Sequence, residues 1–243
     1  MRVSPNGAAD PELNSEVTYC VVSHPCDVVS ISFDRDPFVE LIPTEFVLAA
    51  DGNLTFGKNS RRLHLQHEES ILELTADAKF KIDRSLLISM NPVGALDEAG
   101  RRLLASWLAS RYARPAFADE FNLRMGSART SIAKIVKGAG AHMSGIYVGT
   151  TLAELTTDTS YSLTVVVTML IDDFEDSGKF ASVSEACDQI DVAIRQSEGI
   201  DLLSLELVSE DAMSLDSLRR FARWDYDDLS FRAGDEATLP SLY

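Results

Sequence analysis

Between residues 17 and 82, apolar and polar side chains alternate in short runs, most of them closed by Gly, Pro, Asn or Asp. A period of two marks strands with one face in a core. It predicts strands over 17–23, 28–33, 38–42, 45–49, 62–66, 71–74 and 79–82. Pro43 separates the third from the fourth. Asp51-Gly52-Asn53 is a turn, after which 53–56 starts a return strand. So many short strands in about seventy residues imply a small barrel or a strongly bent sheet.

The period changes at Asp97, a capping residue. Leu104, Trp107, Leu108 and Arg111 follow at i, i+3, i+4 and i+7 and predict a packed helix over 97–113, stopped by Pro115. Arg111 falls on its apolar stripe, where an unpaired charge is costly. Beyond residue 126 the two periods alternate. Ser127 caps a helix that Gly138 stops, and strands follow over 146–148 and 161–171. A helix from Ser182 or Ser184 runs to 196, then come a strand over 200–208, a helix over 214–222 and a strand over 224–231. The class is α+β: a β-rich N-terminal small barrel or bent sheet with one packed helix, then an α+β sandwich of ferredoxin-like type. The expected segments are a disordered leader over 1–15, a β-rich domain over 16–125 and an acidic α+β domain over 126–243.

Composition narrows the function. The chain has 243 residues and a formal net charge of −16. So acidic a surface repels phosphate backbones and argues against non-specific nucleic-acid binding. The charge is uneven: residues 1–125 carry 18 acidic and 13 basic side chains, and 126–243 carry 20 and 9. The second half reads as a surface for a protein partner or self-association. The first, arginine-rich from Arg35 through Arg84 to Arg124, is where a small anionic ligand would bind. Three cysteines in a chain of this size imply free thiols in a reducing compartment. The N-terminal residues lack the apolar core of a signal peptide, and the longest apolar run, over 163–171, is too short to span a membrane. A cytoplasmic protein is expected.

Reactive side chains cluster early. Cys20, His24 and Cys26 share the even face of a strand until Pro25, and His64 and His67 lie about forty residues on. Thiolates and imidazoles make a zinc set, although Cys-x₃-His-x-Cys is not a standard spacing. Alternatively, Cys26 is a nucleophile with His64 as its base and Asp27 as the orienting acid, the pattern of a cysteine hydrolase. A third reading pairs Asp27 with Arg111 and brings in Arg62 and Arg114, either as a structural ion pair or as an anion pocket. Asp36 with Asp77-Ala78-Lys79 weakly matches a metal-dependent nuclease.

The stretches Val21-Val22-Ser23-His24-Pro25-Cys26-Asp27, Arg62-Leu63-His64-Leu65 and Arg111-Tyr112-Ala113-Arg114-Pro115-Ala116-Phe117 resemble a group of uncharacterised bacterial proteins. In these a strand ends in Ser-x-x-Cys-Asp, often in mobile or defence-associated gene clusters. The resemblance covers the first half of the chain and implies a setting, not a mechanism. In that group the His24 position is often another polar residue, which makes Cys26 and Asp27 the firmer pair. The expectation is an accessory or regulatory protein that recognises an anionic ligand or a protein partner. A hydrolase, cysteine- or metal-dependent, is the alternative.

Overall fold

The computed structural model describes residues 13–112 and 117–224. These form two compact units, one of residues 13–50 with 60–112 and the other of 51–59 with 117–224. The division falls near 113, not at the expected 125/126. The physical reason is Phe121, which is fully buried in the second core with its ring 5.4 Å from that of Tyr161. The expected leader lies, as far as residue 12, outside the described residues.

The first unit contains β1 (Thr18–Val21), a single turn α1 (Pro25–Val28), β2 (Phe38–Val47), β3 (Arg62–His67), β4 (Ser70–Thr75), β5 (Phe80–Asp83), a 3₁₀ segment Arg84–Ser89 and α2 (Glu98–Ser110). The sheet is open, not a closed barrel: its order is β1-β2-β4-β3, and β5 pairs with β2. Pro43 does not split β2. Val22 donates to the Glu40 carbonyl and the Glu40 N–H donates to Ser23 Oγ at 2.7 Å, so Glu40 faces β1. Odd positions of β2 therefore face the other edge, where β5 pairs with 38–41 and β4 with 44–47. The missing N–H of Pro43 points at the junction between those two strands, where no ladder bond is needed.

Residues 28–33 do not form the expected strand. Pro25 at the first helical position and His24 at the cap start α1 instead. Nor do 53–56 form a return strand: Phe56 and Gly57 have φ of 54° and 69°, and the segment Thr55–Gly57 is a 3₁₀ turn. One sheet face buries Ile42, Leu63, Leu65, Leu72 and Leu74 against Leu104 and Trp107 of α2. The other carries Val39, Leu41 and Ile82, with Val28, Leu86 and Leu87 packed on them. The loop after α1 and the 3₁₀ segment after β5 thus meet on this second face.

The second unit contains α3 (Asp119–Arg124), α4 (Gly126–Ala139), β6 (Gly145–Gly149), β7 (Tyr161–Met169), α5 (Ile171–Glu175), α6 (Ser177–Arg195), β8 (Ile200–Ser209), α7 (Leu215–Arg220) and β9 (Ala222–Arg223). Its sheet order is β8-β7-β6-β9, with β7 and β8 parallel neighbours joined through α6. That is an unsplit βαβ unit followed by short returning elements, so the α+β class is formed without the split βαβ order of a ferredoxin-like sheet. Tyr161, Leu163, Val165, Val167 and Met169 alternate inward along β7. They meet Ile132 and Val136 of α4 and Val183, Ile190 and Ile194 of α6. Ser127 does not cap α4, because α3 runs directly into it through Met125. Of the last expected strand, residues 225–231 lie outside the described residues. Trp224 is buried and donates to the Ile146 carbonyl.

Residues 51–59 are pinned to α4 within this unit. The Lys58 ammonium, 1% exposed, donates to Thr55 Oγ1, the Gly140 carbonyl and the Met143 carbonyl at 2.6–2.9 Å. All three of its N–H groups are thereby satisfied, while burial and the nearby Arg223 push its pKa well below the usual lysine value. Gly52 is required at this junction, since a Cβ there would lie 2.2 Å from the Val136 carbonyl oxygen. No helix among the described residues is long and apolar enough to cross a membrane.

Candidate functional site

The expected thiol–imidazole locus does not assemble. His64 sits opposite Glu73, which sits opposite Glu45. The chain leaves β1 at the level of Glu40, five residues away along β2. Five residues span about 17 Å, and the three strand spacings from β1 to β3 span about 14 Å. Ser23 is still held at Glu40 and Pro25 begins a helical turn, so Cys26 stays at the corner diagonal to His64. His64 therefore cannot act as its base. His64 Nε2 instead lies 2.8 Å from Glu73 Oε2, and Arg62 forks onto the same carboxylate at 2.6–2.9 Å. Burial pushes the Glu73 carboxyl up, and the hydrogen bonds from Arg62 and His64 more than offset this, holding it below the usual carboxylate range.

The expected zinc set disperses as well. Burial in β1 pushes the Cys20 thiol up to about 11, which disfavours the thiolate a metal needs. His24 is exposed and its Nδ1 accepts the Cys26 N–H at 3.2 Å, as a helix cap does. Cys26 is exposed, and His67 closes β3 against Gly94. Among the described residues no three His, Cys, Asp or Glu side chains are grouped to hold a metal ion.

The expected arginine cluster is also redistributed. Arg111 ends α2 and reaches Asp77, not Asp27, at 2.7 Å on an exposed rim. Asp77 and Lys79 of the nuclease-like spacing are taken by Arg111 and Glu40. Arg62 belongs to Glu73, and Arg114 lies outside the described residues.

The arginine that meets Asp27 is Arg84, and it meets the backbone. Its Nη1 donates to the carbonyls of Asp27 and Ser30, each at 2.7 Å. The period-two pattern already leads there: Phe80, Ile82 and Arg84 lie on one face, and the 3₁₀ segment begins at Arg84 with that side chain still pointing inward. Arg84 is 2% exposed. Phe33 stacks on the guanidinium, its ring centroid 4.3 Å from Cζ. Nε and Nη2 have no hydrogen-bond partner among the described residues. A ring on the face of a guanidinium leaves its in-plane N–H donors unmet.

Arg84 lines an open, shallow hollow of about 230 Å³ with Val28, Val29, Ser30, Phe33, Leu87 and Ile88. A second concavity, of about 300 Å³ along β2, includes Glu16, Glu45 and Glu73 in its wall, an environment that repels anions. Among the described residues, the first unit thus holds a buried cation with unused donors beside a mostly apolar hollow. Comparison of the chain with protein-family models, curated proteins and solved structures returns no match.

Proposed function

We propose that this chain is a binding protein, of an accessory or regulatory kind, that recognises a small anionic ligand through Arg84. The observation that carries the reading is the pair of buried Arg84 nitrogens without a partner. Burying a charge with donors unmet costs several kcal/mol, and a bound anion would return that cost. The cysteine-hydrolase alternative loses its base, since His64 is held by Glu73 at the far corner of the sheet. The resemblance of residues 21–27 to proteins of defence-associated clusters is compatible with a regulatory setting and adds no chemistry.

A ligand that binds only the native state raises stability, by about 2.7 kcal/mol at a hundred times its dissociation constant. Thermal unfolding is therefore measured with phosphate, sulfate and a series of carboxylates at constant ionic strength. At least one anion is expected to raise the midpoint, and Arg84→Lys is expected to remove that rise. No shift with any of these anions would overturn the reading.

A further inference from the structure

Resting on the reading of Arg84 as an anion receptor, we infer that its ligand is a monocarboxylate with an apolar body. The carboxylate lies on the Nε–Nη2 edge of Arg84, and the body lies against Phe33, Leu87 and Ile88. Three observations carry this. First, the unused nitrogens are a particular pair. Nη1 is spent on the Asp27 and Ser30 carbonyls, which leaves Nε and Nη2. Those two N–H bonds run parallel along the side of a guanidinium and match the two oxygens of a carboxylate.

Second, the charge available is a single positive one. Apart from Arg84 and Ser30, the cavity is lined by Val28, Val29, Phe33, Leu87 and Ile88. A lone guanidinium in such a wall neutralises a monoanion. A phosphate dianion would meet only that one positive charge, since no second cation among the described residues lines the hollow.

Third, the walls and their exposure suit an apolar body. The volume of about 230 Å³ lies below the usual range for drug-sized ligands and fits a branched acid of a few carbons or one apolar residue at a chain end. Both free nitrogens are shut off from solvent, so the ligand enters by displacing covering side chains. Phe33, which lies on the guanidinium, and the neighbouring lining residues Val29 and Ile88 are 45%, 75% and 77% exposed, so they can turn aside without opening the core. Once seated, the apolar body replaces water on surfaces that are otherwise wet, which gives affinity that a bare anion lacks.

The test titrates the full chain with 3-methylbutanoate, its neutral amide 3-methylbutanamide, acetate, inorganic phosphate and N-acetylglycyl-leucine. Heat or chemical-shift change is followed at constant ionic strength. The free acid or the peptide is expected to bind at least tenfold more tightly than the amide, acetate and phosphate. Whichever of the two is tighter tells a free acid from a chain-end carboxylate. Arg84→Lys is expected to weaken binding at least tenfold. That variant also weakens the clamp on the Asp27 and Ser30 carbonyls, so Ile88→Asp and Phe33→Ala serve beside it, each expected to weaken binding at least fivefold with the fold retained. Equal binding of acid and amide would overturn the inference. Arg84-dependent binding of phosphate above every carboxylate would overturn it too, while leaving the anion reading in place. Failure of every anion to bind would end both.

Discussion

Glu73 shows what a single residue does in this fold. It faces His64 on the adjacent strand and receives Arg62 from the same strand as His64, two positions earlier. Its carboxyl is held below the usual range, so the unfolded chain takes up the proton first as acid is added. The stabilisation is full above the unfolded carboxyl value of about 4.3 and is lost as pH falls through the lower folded value. Glu73→Gln is expected to cost about 1 kcal/mol near neutral pH and to flatten the loss of stability between about pH 5 and 3. Urea unfolding of both proteins across that range measures it; parallel curves would show that the pair contributes nothing. Lys58 is the opposite case, since nothing local marks it. It follows a glycine in a polar loop, and its three acceptors lie at Thr55, Gly140 and Met143. Arg84 lies between these cases. Alternation from Phe80 puts it on the buried face, but its carbonyl partners lie 54 and 57 residues upstream.

At the scale of elements, hydrophobic spacing located most strands and helices, and the departures have local causes. β2 runs through Pro43 because the missing donor faces a gap between two partners. The strand expected over 28–33 gives way to α1 and a loop whose carbonyls Arg84 takes in place of a ladder. α6 starts at Ser177, earlier than Ser182 or Ser184, because Asp176 Oδ1 accepts the N–H groups of Gly178 and Lys179 at 2.9 and 3.0 Å. A glycine in the first turn hid that start. Asp176→Ala is expected to lower the stability of the chain, and Asp176→Asn to retain most of it. Chemical denaturation separates them; equal stability of all three would mean that the cap contributes nothing.

For the whole molecule, the charge of −16 is the governing quantity. Like charges repel in the compact state, and salt screens them over a Debye length of about 10 Å at 0.1 M. The melting temperature is expected to rise by a few degrees between low salt and about 0.5 M sodium chloride. A fall would mean that attractive pairs such as Arg62–Glu73 outweigh the repulsion.

Composition and periodicity alone determined the α+β class, the interior strand and helix positions and the sign of the surface, because these depend on neighbours a few residues apart. Only the tertiary structure decided that His64 and Cys26 stand at opposite corners, that Arg111 ends on a rim and that Arg84 is a buried cation with donors to spare. Those outcomes depend on which distant backbone and side-chain groups arrive within about 3 Å. Strand order and register set that distance, and no local pattern encodes them.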